Sequence, residues 1–391
     1  MIVVAVIIAL SVIILFHEGG HFIFSKLSKI KIEEFGLGYP PRAVGVVKTK
    51  TSNKWKLFFG KKEPMDTQGT IYSLNLIPFG GFNKIKGEDG ESTDADSFYA
   101  KNIWQRFLSI FGGILMNLVL AIILFSICFM VGMPTAGENK DLGHYSSVKN
   151  SGVQIVFVKK DSPAAQAGVL QGDLLISVDN QEIKNMVALS DYSKDKVGKE
   201  IDLKIKRGSS ELDFKIIPQR AGDIFTKEEL ASDNSERGVV GITLVESKVV
   251  TYSFFIAIWQ GIKTTFITCG KIIEGIYLIL KELFVSHKMV GEAMGVVGIA
   301  TFIGEAYQIG FIYFLQFLAL VSVAIAVSQV LPIPALDGGR LVFLLIEAVR
   351  HKAISRKTEA IIHNVGFMVL ILLMVFITYK DLLRLGDKMF K

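Results

Sequence analysis

The sequence predicts a polytopic α-helical membrane protein with four transmembrane helices, a β-hairpin dipping into the membrane surface, and one β-rich domain outside the membrane. Three observations carry this. Half of the 391 residues are hydrophobic and mean hydropathy is +0.44, which points to several membrane segments. Four apolar stretches are long enough to cross a hydrocarbon core of ~30 Å. Basic residues gather in short stretches beside them, the charge bias of cytosolic loops.

The first span, residues 1–25, opens with a run from Met1 to Phe16 whose only polar side chain is Ser11. It lacks a basic segment ahead of it and leads into no small-residue cleavage site, so a removed signal peptide is not expected. It leads instead into His17-Glu18-Gly19-Gly20-His21. Histidines four apart lie one turn apart on a helix face, so both imidazoles can reach one metal ion. The glutamate between them can take a proton from a metal-bound water, the arrangement of zinc hydrolases. Ionisable clusters at membrane depth are costly and by default functional.

Residues 26–103 form the next unit. Ten Lys or Arg but only two acids, Glu33 and Glu34, fall between Lys26 and Lys62, which makes the segment cytosolic. Beside membrane spans such a cluster reads as contact with the lipid bilayer and not with nucleic acid. Within it, residues 69–87 alternate apolar side chains around Pro78-Phe79-Gly80-Gly81, predicting a hairpin apolar enough to dip into the interface. An exposed edge there could capture an unwound substrate strand.

The second span covers residues 104–135. After it, residues 150–220 read as a soluble β-rich module. Ser162 is a plausible helix N-cap, Pro163 a first helical residue and Gly168 a terminator. Gly172-Asp173 predicts a turn, Leu174–Val178 a strand and Asp179-Asn180 a second turn. The string SPAAQAGVLQGDLLISVDNQEI resembles a protease-associated PDZ domain, which implies either capture of an extended segment or a role as spacer or size filter. In the linker 221–305, Lys263, Lys271, Glu274, Lys281 and Glu282 break the apolar stretch 251–285 at helical spacing. That predicts interfacial amphipathic helices and no crossing. With the N-terminus outside, four crossings then leave residues 138–305 extracytoplasmic.

The third span, 306–348, contains Leu331-Pro332-Ile333-Pro334-Ala335-Leu336-Asp337-Gly338-Gly339. Pro332 and Pro334 interrupt a helix and release backbone carbonyls, which a membrane tolerates only where the chain lines a cavity. The glycines allow close approach of another segment. A basic link, 349–359, and a fourth span, 360–385, follow. Catalytic zinc needs a third protein ligand beside an open position. The remaining histidines are His144, His287, His351 and His363, of which only His363 lies in a span. Asp337 is the better candidate: it ends a span running in the same direction as the first helix, along which His17 lies ~25 Å in, so both sit toward the cytosolic face. Cys128 and Cys269 lie in apolar segments and give neither a disulfide framework nor zinc-finger spacing.

Together, HEGGH, FGLGYPPR, IPFGGF, GGILMN, the PDZ-like string and PIPALDGG resemble, in the same order, the site-2 protease family of intramembrane zinc metalloproteases, in its bacterial branch with one PDZ domain. The resemblance implies one Zn2+ per chain held by His17, His21 and Asp337, with Glu18 as general acid/base. It places Asn117 near the active site and gives Gln329, Pro332, Pro334, Gly80 and Gly81 as substrate-binding candidates. It further implies a bacterial inner-membrane enzyme with its active site toward the cytosol. Its partners would be transmembrane segments of membrane proteins trimmed beforehand by another protease, such as anti-sigma factors or signal-peptide remnants. One departure is Gln329, where the family usually has Asn; the extra methylene moves the amide by about an ångström. Two alternatives remain at this stage. One is a catalytically silent PDZ-bearing scaffold of the same fold; the other is a zinc protease of the CAAX-processing type, with Glu292, Glu305 or Glu347 as third ligand.

Overall fold

The computed structural model describes residues 2–50, 53–60, 67–88, 92, 94–136, 146–183, 186–208, 210–225, 235–285, 295–352 and 354–389; His144, His287 and Glu292 lie outside them. In chain order, helix α1 (Ile2–Leu27) is followed by strands β1 (Ile32–Thr49), β2 (Trp55–Phe59) and β3 (Thr67–Ile85) and by α2 (Ile103–Val131). Next come β4 (Met133–Ala136), β5 (Ser146–Val158), α3 (Pro163–Gln166), β6 (Leu174–Val178), β7 (Gln181–Glu182), α4 (Met186–Ser193), β8 (Ile201–Arg207) and β9 (Ser210–Ile216). Then follow β10 (Gln219–Arg220), α5 (Ala221–Ile224), β11 (Gly238–Val239), β12 (Ile242–Tyr252), α6 (Phe254–Val285), α7 (Val296–Ile309), α8 (Phe311–Val330), α9 (Asp337–Arg350) and α10 (Arg356–Met389). The chain divides into two compact units, Met1–Phe125 with Gly261–Gly304 and Gln316–Lys391, and Ser126–Gln260 with Glu305–Leu315.

Four helices among the described residues are long and apolar enough to cross a membrane: Val3–Leu27, Ile103–Val131, Phe311–Val330 and Lys357–Asp381. Only closed hydrogen-bonded elements are stable in hydrocarbon, so these apolar runs become uninterrupted helices. The third is shorter than residues 306–348. It stops at Val330, and Asp337 opens α9 instead of ending a span. Two prolines within three residues cannot continue the helix, and an acidic residue is favourable in a first helical turn. Helix α6 is a single 32-residue amphipathic helix. It buries Ala257 and Thr265 while leaving Phe255, Trp259, Phe266 and Tyr277 exposed.

In the first unit the sheet order is β2-β1-β3. Residues 69–87 were expected to pair with one another; instead both ends of β3 pair with β1, Val44 opposite Leu74 and Thr49 opposite Thr67, then Leu37 opposite Gly81 and Ile32 opposite Ile85. The reason is the ladder: a long partner strand offers more hydrogen bonds than a self-hairpin centred on Pro78, which has no N–H to donate. Tyr39, Trp55, Leu57, Phe59, Leu74 and Leu76 of this sheet are exposed.

In the second unit a sheet ordered β4-β12-β5-β6-β8-β9, with β7 on β6, covers a core that includes Val153, Ile155, Leu175, Val178, Leu203 and Ile205. It recruits β4 and β12 from outside residues 150–220. Ser162 Oγ accepts from the Ala165 N–H, and Pro163 starts α3. Asp179 and Asn180 turn at φ +46° and +64°, which the β6–β7 hairpin requires. The fully buried Asp173 carboxylate accepts two bonds from Arg207, each 2.7 Å, and one from the Leu170 N–H at 2.8 Å.

Candidate metal centre

Helix α1 carries His17 and His21 on one face, with ring centroids 4.7 Å apart and planes nearly perpendicular. Asp337, at the start of α9, brings its Oδ2 to 3.4 Å from His17 Nε2 and 3.3 Å from His21 Nε2; the two Nε2 atoms are 3.2 Å apart. Ligands about 2.0–2.1 Å from a tetrahedral ion are separated by about 3.3 Å, so the triangle has the edge lengths of one face of a zinc tetrahedron. Glu347, an alternative third ligand, is instead held bidentately by Arg106. The side chain of Glu305 is outside the described set.

The surroundings fix the ligand atoms as lone-pair donors. His21 Nδ1–H donates to the Ser109 carbonyl at 2.9 Å, which leaves Nε2 unprotonated toward His17 and Asp337. The Asn117 amide lies 3.4 Å from His17 Nδ1, and its buried Oδ1 has no other partner. The atom facing the ring is the amide nitrogen Nδ2; exchanging the amide's oxygen and nitrogen gives the buried oxygen a partner, makes His17 Nδ1–H the donor and leaves His17 Nε2 bare as well. Asp337 Oδ2 is also buried without a hydrogen-bond donor. Three acceptor atoms at such separations repel one another, and a cation among them reconciles the arrangement. The residues therefore fit a metal ion.

Glycines make the close approach possible. A Cβ on Gly113 of α2 would lie 2.8 Å from His17 Cε1 and closer still to His21 Nε2, and one on Gly112 would lie 2.7 Å from the Gly20 carbonyl oxygen. A Cβ on Gly339 would meet the Ile333 carbonyl at 2.6 Å, so bare glycines let the first turn of α9 fold back on the 331–334 segment. Gln329 Oε1 accepts the Asp337 N–H at 3.1 Å. The longer side chain thus reaches the backbone of the carboxylate-bearing residue.

His17, Glu18, His21, Gly81, Asn117, Gln329 and Asp337 line one cavity of about 620 Å³. Gly80, Pro332 and Pro334 are not in its lining. Gly80 packs behind Tyr39, where a Cβ would lie 3.2 Å from the ring; Pro334 packs against Gly366 of α10. Asn83 was not singled out from the sequence, yet its Nδ2 donates to Glu18 Oε2 at 3.1 Å and also to the Glu18 carbonyl. A polar residue interrupting the apolar alternation of β3 was its signal. Arg340 was also missed. It sits one turn beyond Asp337 and pairs with Glu88; a charge in an apolar segment was the available cue.

Gly113→Ala is expected to lower the metal affinity of the purified protein by on the order of tenfold or more, the scale of a disturbed ligand surround. Gly19→Ala, whose Cβ meets nothing within 4 Å, should leave it unchanged. Competition titration with a metal-sensitive dye reads both.

A protein of Clostridium perfringens, provisionally named a zinc metalloprotease, is 32% identical over 391 residues, covering 98% of this chain and 99% of its own. The zinc metalloprotease RasP of Oceanobacillus iheyensis is 26% identical, covering 98% of this chain and 99% of its own. Among solved structures, the PDZ domain of an SdrC-like protein of Listeria monocytogenes aligns with 25% of this chain and 92% of its own, at 27% identity and a TM-score of 0.21. The sequence profile of peptidase family M50 matches residues 5–373. The chain belongs to peptidase family M50, the site-2 protease family.

Proposed function

We propose that this chain is an intramembrane zinc metalloprotease that hydrolyses peptide bonds within or near transmembrane segments of other membrane proteins. One zinc is held by His17, His21 and Asp337. The observation that carries this reading is the triangle of three acceptor atoms with the edge lengths of a zinc tetrahedron, two of them on a membrane-length helix. The zinc metalloprotease names of full-length relatives support the identity of the metal.

Bound zinc supplies a Lewis acid and a water acidified toward a pKa of about 7. Glu18 lines the same cavity without belonging to the ligand set. Its carboxylate accepts the proton of the attacking water and delivers it to the leaving amine. Asn83 holds one carboxylate oxygen of Glu18 by a 3.1 Å bond. Asn117 lies against His17, and Gln329 holds the Asp337 backbone, while both line the cavity that a substrate would enter. A substrate helix must unwind before hydrolysis, because an intact helix keeps its carbonyls bonded. The β1–β3 sheet at Gly80 and Gly81 and the non-helical chain at Pro332 and Pro334 offer partners to such an extended strand. Substrates are single membrane segments trimmed beforehand by another protease, as the resemblance to site-2 proteases implies.

Purified protein is expected to hold one zinc per chain. Glu18→Gln should keep the zinc and lose cleavage of a membrane-segment substrate by at least about 10³-fold, since the proton carrier is gone while the ligands stay. Asp337→Ala should lose the zinc as well. Elemental analysis with a cleavage assay reads both; full zinc in Asp337→Ala would contradict the ligand assignment.

The loop charges and the four candidate spans support an extracytoplasmic N-terminus, cytosolic residues 26–103 and 350–358, and extracytoplasmic residues 138–305, in the bacterial inner membrane. In a variant lacking Cys128 and Cys269, a cysteine replacing Asn180 should react with an impermeant maleimide in intact cells. One replacing Lys54 should react only after lysis. The reverse pattern overturns the orientation.

A further inference from the structure

Among the titratable groups of the site cavity that have no part in the mechanism above, one carries a donor without a partner. His363, on α10, lines the cavity with Glu18, Asp337 and Gln329. Its Nδ1 accepts a hydrogen bond from the Ala335 N–H at 3.0 Å. Ala335 is in the left-handed region at φ +76°, two residues before Asp337. An Nδ1 that accepts leaves the proton of a neutral imidazole on Nε2. That Nε2 is buried and has no hydrogen-bond partner. The ring is held in place: Phe343 packs against it with centroids 5.5 Å apart. One turn further along α10, a Cβ on Gly366 would lie 2.8 Å from the Pro334 carbonyl, so α10 is seated directly on the 334–335 segment.

A buried N–H donor without an acceptor is unfavourable in a finished protein interior, and such orphans mark places where a ligand completes the bonding. His363 is outside the three-atom metal cluster, so a metal does not complete it. What enters this cavity, if the proposed proteolysis is right, is an extended peptide whose groups lacking partners are carbonyl oxygens.

We infer that His363 Nε2–H donates a hydrogen bond to the substrate carbonyl oxygen on which negative charge develops during hydrolysis. When the water oxygen bonds to the carbonyl carbon, the C=O π pair moves onto that oxygen. The Nε2–H bond stabilises the charge without transferring its proton, and the oxygen returns to a carbonyl as the C–N bond breaks and the amine leaves with the proton carried by Glu18. A preorganised donor at a developing oxyanion is worth about 10²–10³ in rate. The Nδ1 bond to Ala335 gives the donor its tautomer and its aim, as second partners do for other functional imidazoles.

The inference rests on the proteolytic reading of the site, and two isosteric substitutions separate it from a purely structural role. His363→Asn keeps an acceptor near the Nδ1 position, so it can hold the Ala335 N–H, but has no donor reaching the Nε2 position. His363→Gln places an amide N–H near Nε2. The full-length variants are purified in detergent and assayed on a synthetic single-span peptide bearing a fluorophore and a quencher on either side of the span, with zinc content measured in parallel. The expected result is one zinc per chain in both variants, KM within about twofold of the parent, kcat lowered about 10²-fold in His363→Asn, and at least about tenfold of that recovered in His363→Gln. Parental kcat in His363→Asn overturns the inference. So does a loss of zinc matching the loss of kcat, which would make His363 a holder of the Asp337 segment and nothing more. Cleavage by Glu18→Gln in the same assay would instead bring down the proteolytic reading, whatever His363 does.

Discussion

Backbone that leaves helical geometry within hydrocarbon exposes N–H and C=O groups that water does not reach, and each needs a partner from the protein. The segment between α8 and α9 meets this demand and thereby delivers Asp337. Ile333 N–H bonds the Leu331 carbonyl at 2.7 Å, Leu336 N–H bonds Ile333 at 3.2 Å, the Ala335 N–H goes to His363, and the Asp337 N–H goes to Gln329. Without those partners the prolines would be a defect in an apolar helix. With them, the break turns a carboxylate inward to two histidines on α1.

The rest of the site follows from how close the helices come. Gly112 and Gly113 let α2 approach α1 at its histidines, and the Ser25 and Ser109 hydroxyls, 2.5 Å apart, bridge the same pair of helices. Helix α2 then stands behind each imidazole, its Ser109 carbonyl accepting from His21 and its Asn117 amide lying 3.4 Å from His17 Nδ1. Asn117 is itself fixed by α8, whose Ser322 hydroxyl donates to the Asn117 carbonyl at 2.8 Å. Arg106 with Glu347 joins α2 to α9. Each of the three side chains is thus held by an element other than its own, so single substitutions on α2 or α8 alter the triangle they form.

Much of this was legible in the sequence because the signals are local. His17 and His21 stand at a spacing that one helix turn reads directly, and Pro332, Pro334 and Asp337 announce a break followed by a carboxylate. Ser162, Pro163 and Asp179-Asn180 likewise carry their own cap and turn chemistry. What escaped depends on partners distant in the chain. The pairing of both ends of β3 with β1 could not be read from the alternation within 69–87, since a strand's period does not name its partner. Gln329 looked like a displaced substrate contact, and only the folded 331–336 segment puts the Asp337 N–H within its reach. Asn83 was an ordinary letter, and His363 only a weaker candidate for third ligand, until the fold set them in the same cavity as Glu18.

Zinc in this cavity is expected between two imidazoles and one carboxylate, with the third histidine of the cavity free to act on substrate. X-ray absorption at the zinc edge of the purified protein tests this most directly. The expected result is a shell of four nitrogen or oxygen atoms at about 2.0–2.1 Å, with outer scattering from two imidazole rings. A sulfur shell near about 2.3 Å, or scattering from three imidazoles, would contradict it.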